Sequence, residues 1–310
     1  MGTSLVRHLL DEGYSVVAAL RQAPTSTPLP GLAFVSRELT ADTDWSAALA
    51  GVDTVIHLAA RVHQLGEQPG ALSDGQYDQV NRAATLKLAR DAVLAGVRRF
   101  IFVSSIKVNG DWTQPGRPFR ADDPPGPTDA YARSKAAAEQ QLLALMAETG
   151  LEVVIIRPPL VYGPGVKANV ARLLEVLARG VPLPLGGVRH NRRSLVAVEN
   201  LVDLLTLCIS APQAAGATLL VSDDEDISTV ELLELLGEGL GRQARLIPIP
   251  SAWLERVARL LGRGELAQRL CGSLQVDIQP TKTLLAWQPP YSARSSLRAL
   301  GAQRAERAAC

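Results

Sequence analysis

Tyr131 and Lys135 are four residues apart and together could carry out proton transfer. Their surroundings are typical of a helix, where residues four apart lie on one face, so the phenol and the ammonium would point into the same space. A neighbouring ammonium favours phenolate and is expected to lower the pKa of Tyr131 toward a value useful for general acid–base catalysis. The same spacing also occurs in solvated pairs on exposed helices, so it does not identify a site by itself.

Ser105 is the second candidate. It follows the apolar run RFIFVS at 99–104, which is typical of a strand buried on both faces. Ligands of open α/β folds bind at the carboxyl ends of such strands, so a hydroxyl there can reach a ligand. The alternative is a hydroxyl that only caps its loop.

The elements that must position these residues alternate along the chain. Short apolar runs predict strands at 15–20, 52–58, 99–104 and 152–156, and helical patterns are found at 3–12, 73–96 and 128–149. This alternation predicts an α/β fold, a parallel sheet with helices on both faces. Prolines crowd the segment after Arg157 and indicate a second lobe. We expect residues 1–157 with a return at 194–211 to form the first lobe, and residues 158–193 and 212–310 the second.

Composition excludes several classes. Lysine and arginine exceed aspartate and glutamate by one charge, so no global field attracts nucleic acid or an anionic membrane, and neither is expected as a partner. The three cysteines are widely spaced, which fits neither a disulfide framework nor a metal site and favours a reducing, cytoplasmic compartment. The arginine-rich segment GAQRAERAAC predicts a solvated tail.

Ser105, Tyr131 and Lys135 together resemble the catalytic triad of the extended short-chain dehydrogenase/reductase family. Further similar segments are His57-Leu58-Ala59-Ala60, Asn81 in a helix motif that lacks the family's glycine, RPPLVYGPG at 157–165, RSLVAVENL at 193–201 and DIQPTKTLLAW at 277–287. The resemblance spans nearly the whole chain. It implies a Rossmann-type doubly wound sheet with a smaller C-terminal substrate lobe.

The resemblance also implies roles for individual residues. Tyr131 would exchange a proton with the substrate oxygen, Ser105 would hydrogen-bond that oxygen, Lys135 would hold the nicotinamide ribose, and Asn81 would order the relay behind Lys135. Further cofactor contacts are implied for Leu58, Ala59, Ala60 and Pro158. Substrate contacts are implied for Lys107, Asn169, Arg193 and Arg269, with Arg193 clamping a diphosphate.

Family members open with a strand and a Gly-x-x-Gly-x-x-Gly turn at the cofactor pyrophosphate. Here only Gly2 matches, and the first predicted helix follows at once. We expect the first strand and most of the turn to be absent from this chain. Our hypothesis is that Met1 stands where the protein has an internal valine, because a GTG valine codon can be taken as a start codon and written as methionine. The true start would then lie roughly ten to fifteen residues earlier.

Cofactor preference can be predicted at the end of the strand at 15–20. NAD enzymes generally carry an acidic residue about 20 positions past the glycine turn, whereas an arginine accommodates a 2′-phosphate. Leu20-Arg21 occupies this place. We therefore expect NADPH, with NAD(H) as the alternative, and the resemblance assigns Glu38 and Leu39 to the adenine end.

Within the family, SSIKVNG at 104–110 is most similar to bacterial UDP-sugar 4-ketoreductases and 4-epimerases of surface-polysaccharide synthesis, including O-antigen. The expected reaction is reduction of a UDP-linked 2-acetamido-2,6-dideoxy-4-hexulose. The alternatives are a UDP-hexose 4-epimerase that retains NAD and a catalytically impaired NADP-binding protein. By resemblance alone, a homodimer is expected through the helices at 73–96 and 128–149.

Overall fold

The computed structural model describes residues 1–22, 29–62, 74–164, 169–262 and 264–309. The strands are β1 (Val16–Leu20), β2 (Leu32–Ser36), β3 (Thr54–His57), β4 (Arg99–Val103), β5 (Glu152–Arg157), β6 (Leu160–Tyr162), β7 (Leu195–Ala197) and β8 (Thr218–Leu220). The helices are α1 (Gly2–Asp11), α2 (Ser46–Leu49), α3 (Asp74–Asp78), α4 (Ala84–Leu94), α5 (Ala130–Thr149), α6 (Asn169–Ala178), α7 (Val198–Ser210), α8 (Thr229–Gly239), α9 (Ser251–Leu260), α10 (Gly264–Cys271), α11 (Gln279–Leu285) and α12 (Ala293–Ala309).

The central sheet has the strand order β3-β4-β5-β8, and all its pairs are parallel. Side chains of β4 and β5 alternate between two separate cores, as the two-residue period of a strand requires. Ile101 and Val154 contribute to the core that contains helices α1 and α7. Phe100 and Val153 contribute to the core that contains α4 and α5. The sheet is therefore covered by helices on both faces, which confirms the predicted α/β fold.

Strands β1 and β2 form a parallel pair of their own and do not join the central sheet in the described part of the chain. The predicted doubly wound sheet is therefore present as two pieces. Strand β2 was placed in a loop by the sequence patterns, because its run LAFVS is short and half-exposed.

A third core underlies the second lobe. It joins the small parallel sheet β6-β7 to α6, α8 and α12. The predicted boundary at 212 is wrong for one strand, because β8 pairs with β5 and so belongs to the central sheet. This strand is short and almost completely buried, like the other inner strands.

The expected solvated tail is also wrong, since α12 continues to Ala309. Gly301 makes this continuation possible. A Cβ atom at this position would lie 2.6 Å from the Leu236 carbonyl oxygen and 2.9 Å from the Gly239 Cα atom. Gly239 and Gly301 thus let α12 approach α8 closely. The arginine-rich composition from which the solvated tail was predicted does not reveal this contact.

None of the described helices combines the length and the apolar character needed to cross a membrane. Cys208 is a buried free thiol and Cys271 a partly exposed one.

Candidate active site

The loops after β4 and β5 are fixed to each other at the carboxyl edge of the central sheet. The Ser104 amide donates to the Ile156 carbonyl oxygen over 2.7 Å, and the Ile106 amide donates to the Pro158 carbonyl oxygen over 3.0 Å. Ser105 caps the short 3-10 turn Ile106–Val108, because its hydroxyl oxygen accepts from the Lys107 amide. Ser105 therefore caps its loop, and the cap holds its hydroxyl at the sheet edge, where contact with a ligand stays a prediction.

Helix α5 brings Tyr131 to this edge. Asp129 caps the helix by accepting from the Ala132 amide over 2.7 Å, so Tyr131 lies in the first turn. Its phenol lies close enough to the Ser105 hydroxyl for that hydroxyl to affect the Tyr131 pKa. Its ring meets the Tyr77 ring edge-on, with centroids 6.4 Å apart. The structure therefore unites two of the predicted catalytic residues.

The acidity of Tyr131 differs from the sequence expectation. Burial raises the pKa of Tyr131 to about 12, the Ser105 hydroxyl opposes this change, and the charge of Asp129 adds to it. The expected lowering of this pKa by Lys135 is not found. Desolvation of the phenolate outweighs the other effects, and spacing along a helix does not reveal how far a side chain is removed from water.

Lys135 lies one turn further along α5 and is almost fully buried. Its Nζ donates to the Val103 carbonyl oxygen over 2.7 Å and lies 4.0 Å from the centroid of the Phe102 ring. Burial lowers the pKa of Lys135 to about 7, partly opposed by the charge of Glu139. Lys135 is thus held at the last residue of β4, beside the strand end that carries Ser105.

Asn81 lies in a π-helical turn at Gln79–Ala83, a feature often found at functional sites. Its Oδ1 accepts from the Arg61 amide over 2.7 Å, and its Nδ2 donates to the Arg61 carbonyl oxygen over 3.0 Å and to Ser134 Oγ over 3.0 Å. These bonds hold the loop after β3 against α5. The side chain contacts Ser134 and not Lys135, so the relay role of Asn81 stays a prediction.

The residues expected at the cofactor lie along neighbouring strand ends. A Cβ atom added to Gly2 would lie 4.0 Å from Leu58 Cδ1, so the start of α1 meets the end of β3. Ala59 is exposed and Ala60 half-buried just beyond. The Ser104 hydroxyl is buried without a hydrogen-bond partner among the described residues. An unsatisfied polar group at this edge fits a site that binds a polar ligand.

Arg21 and Glu38 line one pocket of about 600 Å³ together with Leu20 and Gln22. The ends of β1 and β2 therefore meet where the adenine end of a dinucleotide was expected. Leu39 differs, because its side chain packs against the core beneath α4 and α5. The pocket holds both a cation and a carboxylate, which suits ribose hydroxyls or a phosphate.

The four residues expected to bind substrate do not form one cluster among the described side chains. Lys107 forms ion pairs with Asp129 and, over 3.3 Å, with Asp111, and so ties the 3-10 turn to the cap of α5. Arg193 is half-buried, and its Nη1 donates to the Gly272 carbonyl oxygen over 3.1 Å. Burial lowers the pKa of Arg193. The side chains of Asn169 and Arg269 lie outside the described residues. Contact of all four with substrate stays a prediction.

Some residues of the site were missed by the sequence patterns. Asp129 carried a recognisable signal, an aspartate at the start of a helical pattern. Phe102 carried none, because its ring is one of several in an apolar strand. Arg157 was noted only as part of a motif, yet it forms a buried ion pair with Glu139 at 2.6 Å and so joins β5 to α5.

The fold and the site together define a class. The chain belongs to the NAD-dependent epimerase/dehydratase family, whose sequence profile matches residues 1–221. It is an enzyme of the NAD(P)-dependent short-chain oxidoreductase type.

Individual relatives are similar over almost the full chain. A UDP-glucose 4-epimerase of Vibrio cholerae is 43% identical over 302 residues, which cover 96% of this chain and 90% of the relative. A 2-alkyl-3-oxoalkanoate reductase of Stenotrophomonas maltophilia is 29% identical, covering 98% and 96%. Among solved structures, MoeE5 in complex with UDP-glucuronic acid and NAD superimposes with a TM-score of 0.78 at 25% identity, covering 100% and 96%.

Proposed function

We propose that this enzyme oxidises and re-reduces C4 of a UDP-linked hexose, so that the net reaction is 4-epimerisation. The observation that carries the proposal is the close placement of the Tyr131 and Ser105 hydroxyls at the carboxyl edge of the sheet, with Lys135 one turn away. The similarity to a UDP-glucose 4-epimerase over 96% of the chain supports this substrate class.

A bound nicotinamide dinucleotide would supply the hydride acceptor and donor. In the oxidative half, Tyr131 as phenolate would accept the proton of the C4 hydroxyl, and in the reductive half it would return that proton to the C4 ketone oxygen. Its raised pKa favours the protonated phenol at neutral pH, the form that the reductive half requires, so the oxidative half depends on the small phenolate fraction. Ser105 would hydrogen-bond the same oxygen. Lys135 would hold the nicotinamide ribose. Leu58, Ala59, Ala60 and Pro158 would line the part of the site that holds the cofactor.

The diphosphate would lie in the second lobe. Arg193 has the fork of donors that matches phosphate oxygens. The sequence resemblance places Lys107, Asn169 and Arg269 with it. We also propose that the chain is divided into a dinucleotide-binding lobe and a substrate lobe, and that it forms a homodimer through the α3–α4 and α5 helices. The proposed compartment is a reducing cytoplasm, in keeping with the free thiols of Cys208 and Cys271.

The second candidate is the NADPH-dependent reduction of a UDP-linked 2-acetamido-2,6-dideoxy-4-hexulose. Arg21 favours it, because a guanidinium in the adenine-end pocket suits a 2′-phosphate. The presence of Glu38 in the same pocket also accommodates NAD. A catalytically impaired cofactor-binding protein is the least favoured alternative, since it would have no need for the Ser105, Tyr131 and Lys135 set.

The test is conversion of UDP-galactose to UDP-glucose with NAD present, followed by chromatography and by absorbance of the reduced cofactor. We expect interconversion without net cofactor reduction. Tyr131→Phe should lower kcat by at least about 100-fold, since positioned acid–base groups contribute about 10²–10⁴. Tyr291→Phe is the matched control, because Tyr291 is exposed, and it should retain the wild-type rate. A wild-type rate in the Tyr131 variant would contradict the role given to Tyr131. No interconversion, or formation or consumption of one reduced cofactor per product, would contradict epimerisation.

A further inference from the structure

Helix α9 presents its apolar face outward. Most helices of a globular protein turn this face to the core, and the inward side of α9 carries Ser251, Leu254, Glu255 and Ala258, which are half-buried. Its exposed side carries large apolar side chains at positions i, i+4, i+7 and i+8. These residues and their exposed fractions are Trp253 at 64%, Val257 at 45%, Leu260 at 87% and Leu261, just past the helix, at 69%.

Two arginines lie on the exposed part of α9, one of them at the edge of this apolar face. Arg256 is exposed and lies one position from Val257, on the edge of the face. Arg259 is exposed too but lies further round the helix, and within the described part of the chain its side chain makes one weak hydrogen bond, of 3.4 Å, to the Glu255 carbonyl oxygen. Neither guanidinium has an ion-pair partner among the side chains that the structure describes. The one carboxylate of the helix, Glu255, lies on the inward side.

We propose that α9 docks on the surface of an anionic lipid bilayer. A helix with bulky apolar side chains and arginines on its outer side is suited to lie in the headgroup region, where tryptophan is also favoured. At ten residues, α9 is about 15 Å long and can lie on a bilayer but not cross it. The near-zero net charge of the chain does not oppose this, because the positive charge is local.

The same features disfavour a second copy of the chain as the occupant. An isologous contact would bring Arg256 and Arg259 of both copies together, and like charges at a shared face are destabilising. The side chains of Trp253 and Leu260 also project from the surface, which a deformable bilayer accommodates more readily than a preformed groove.

The experiment is cosedimentation with vesicles made of equal parts phosphatidylglycerol and phosphatidylcholine, compared with phosphatidylcholine alone. We expect binding only to the anionic vesicles, weakened between about 50 mM and about 500 mM salt by screening. Trp253→Ser should lower the partition coefficient at least tenfold. Arg256→Glu should lower it at least about fivefold, because each basic residue near an anionic surface contributes about 1 kcal/mol, a factor of about five.

Two matched controls carry the same changes elsewhere. Leu94→Ser alters an apolar residue that is more exposed than Trp253, and Arg7→Glu an exposed arginine of α1, and neither should change partitioning. Absence of binding to anionic vesicles at low salt, or equal binding by the α9 variants and the controls, would overturn the proposal. So would sedimentation equilibrium that shows self-association abolished by Trp253→Ser, since the face would then join two copies.

Discussion

At the scale of single residues, burial drives both Tyr131 and Lys135 toward their neutral forms. It raises the pKa of the phenol to about 12 and lowers the pKa of the amine to about 7. Near neutral pH the phenol is therefore protonated, while Lys135 is divided between its two forms. A protonated phenol next to Ser105 is poised to donate to a carbonyl oxygen, which is the reductive half of the proposed reaction.

Arg21 allows a test of cofactor preference. It shares its pocket with Glu38, so replacing it with aspartate leaves two carboxylates and no cation among the side chains that line the pocket. Arg21→Asp should reduce the ratio of NADPH to NADH affinity by about tenfold or more, the effect of about 1.4 kcal/mol from one charge-assisted contact. The measurement is titration of both cofactors by fluorescence.

Arg37→Asp is the control for this experiment. Arg37 is exposed at the end of β2, donates to the Ser36 carbonyl oxygen and does not line the pocket. Its variant should keep the wild-type ratio. If the two variants behave alike, Arg21 has no part in recognising a 2′-phosphate.

The chemical types of the site residues could be predicted from the sequence, but their electrostatics could not. Tyr131, Lys135 and Ser105 were identified from spacing and from a strand end. The direction of the Tyr131 pKa was predicted wrongly, because desolvation depends on side chains such as Tyr77 that are distant in sequence. The contacts of Asn81 with Arg61 and Ser134 were likewise hidden, since they join three separate segments.

At the scale of elements, Asp223 ties the second lobe to the first. It follows β8, and its carboxylate accepts from the Tyr162 hydroxyl at 2.6 Å, the Ala197 amide at 2.8 Å and Asn200 Nδ2 at 2.6 Å. These donors come from β6, from β7 and from α7. Burial raises the pKa of Asp223 to about 6, although the three hydrogen bonds oppose the change.

Tyr162→Phe tests this junction. The folded chain holds the Asp223 proton more tightly than the unfolded chain, so the stability contributed by this group falls as pH rises from about 4 through 6. Loss of the Tyr162 donor raises this pKa further and extends the fall toward neutral pH. We expect the variant to lose about 1 kcal/mol of unfolding free energy, with a larger loss at about pH 7.5 than at about pH 5.

Urea unfolding at the two pH values measures this effect. Tyr14→Phe, a change at the surface, should leave stability unchanged at both. An equal loss for Tyr162→Phe at both pH values would show that Asp223 does not respond to the hydroxyl.

Element prediction succeeded where burial matched a simple pattern. The apolar runs of β4 and β5 and the long helix α5 were placed within a residue or two of their observed bounds. Strand β2 was missed because it is half-exposed, and the last part of α12 because its contact with α8 depends on Gly301 and Gly239, which are 62 residues apart in sequence.

At the scale of the whole molecule, the candidate site residues lie along one edge of the central sheet, at the carboxyl ends of its strands. The ends of β3, β4 and β5 contribute Leu58, Ser105 and Pro158, and α5 adds Tyr131 and Lys135. The alternation of strands and helices predicted this arrangement, because parallel strands end on the same side. Within the described residues, β1 and β2 are separate from this sheet, as the expected absence of the family's first strand predicted.

The most direct test of C4 oxidation and re-reduction uses UDP-galactose that carries deuterium at C4. The UDP-glucose formed is analysed by mass spectrometry and proton NMR, and the cofactor by absorbance. Epimerisation within one bound complex predicts that the product keeps the deuterium at C4, with no net change in cofactor. Loss of the label to solvent, or its appearance in a released reduced cofactor, would contradict the proposed chemistry.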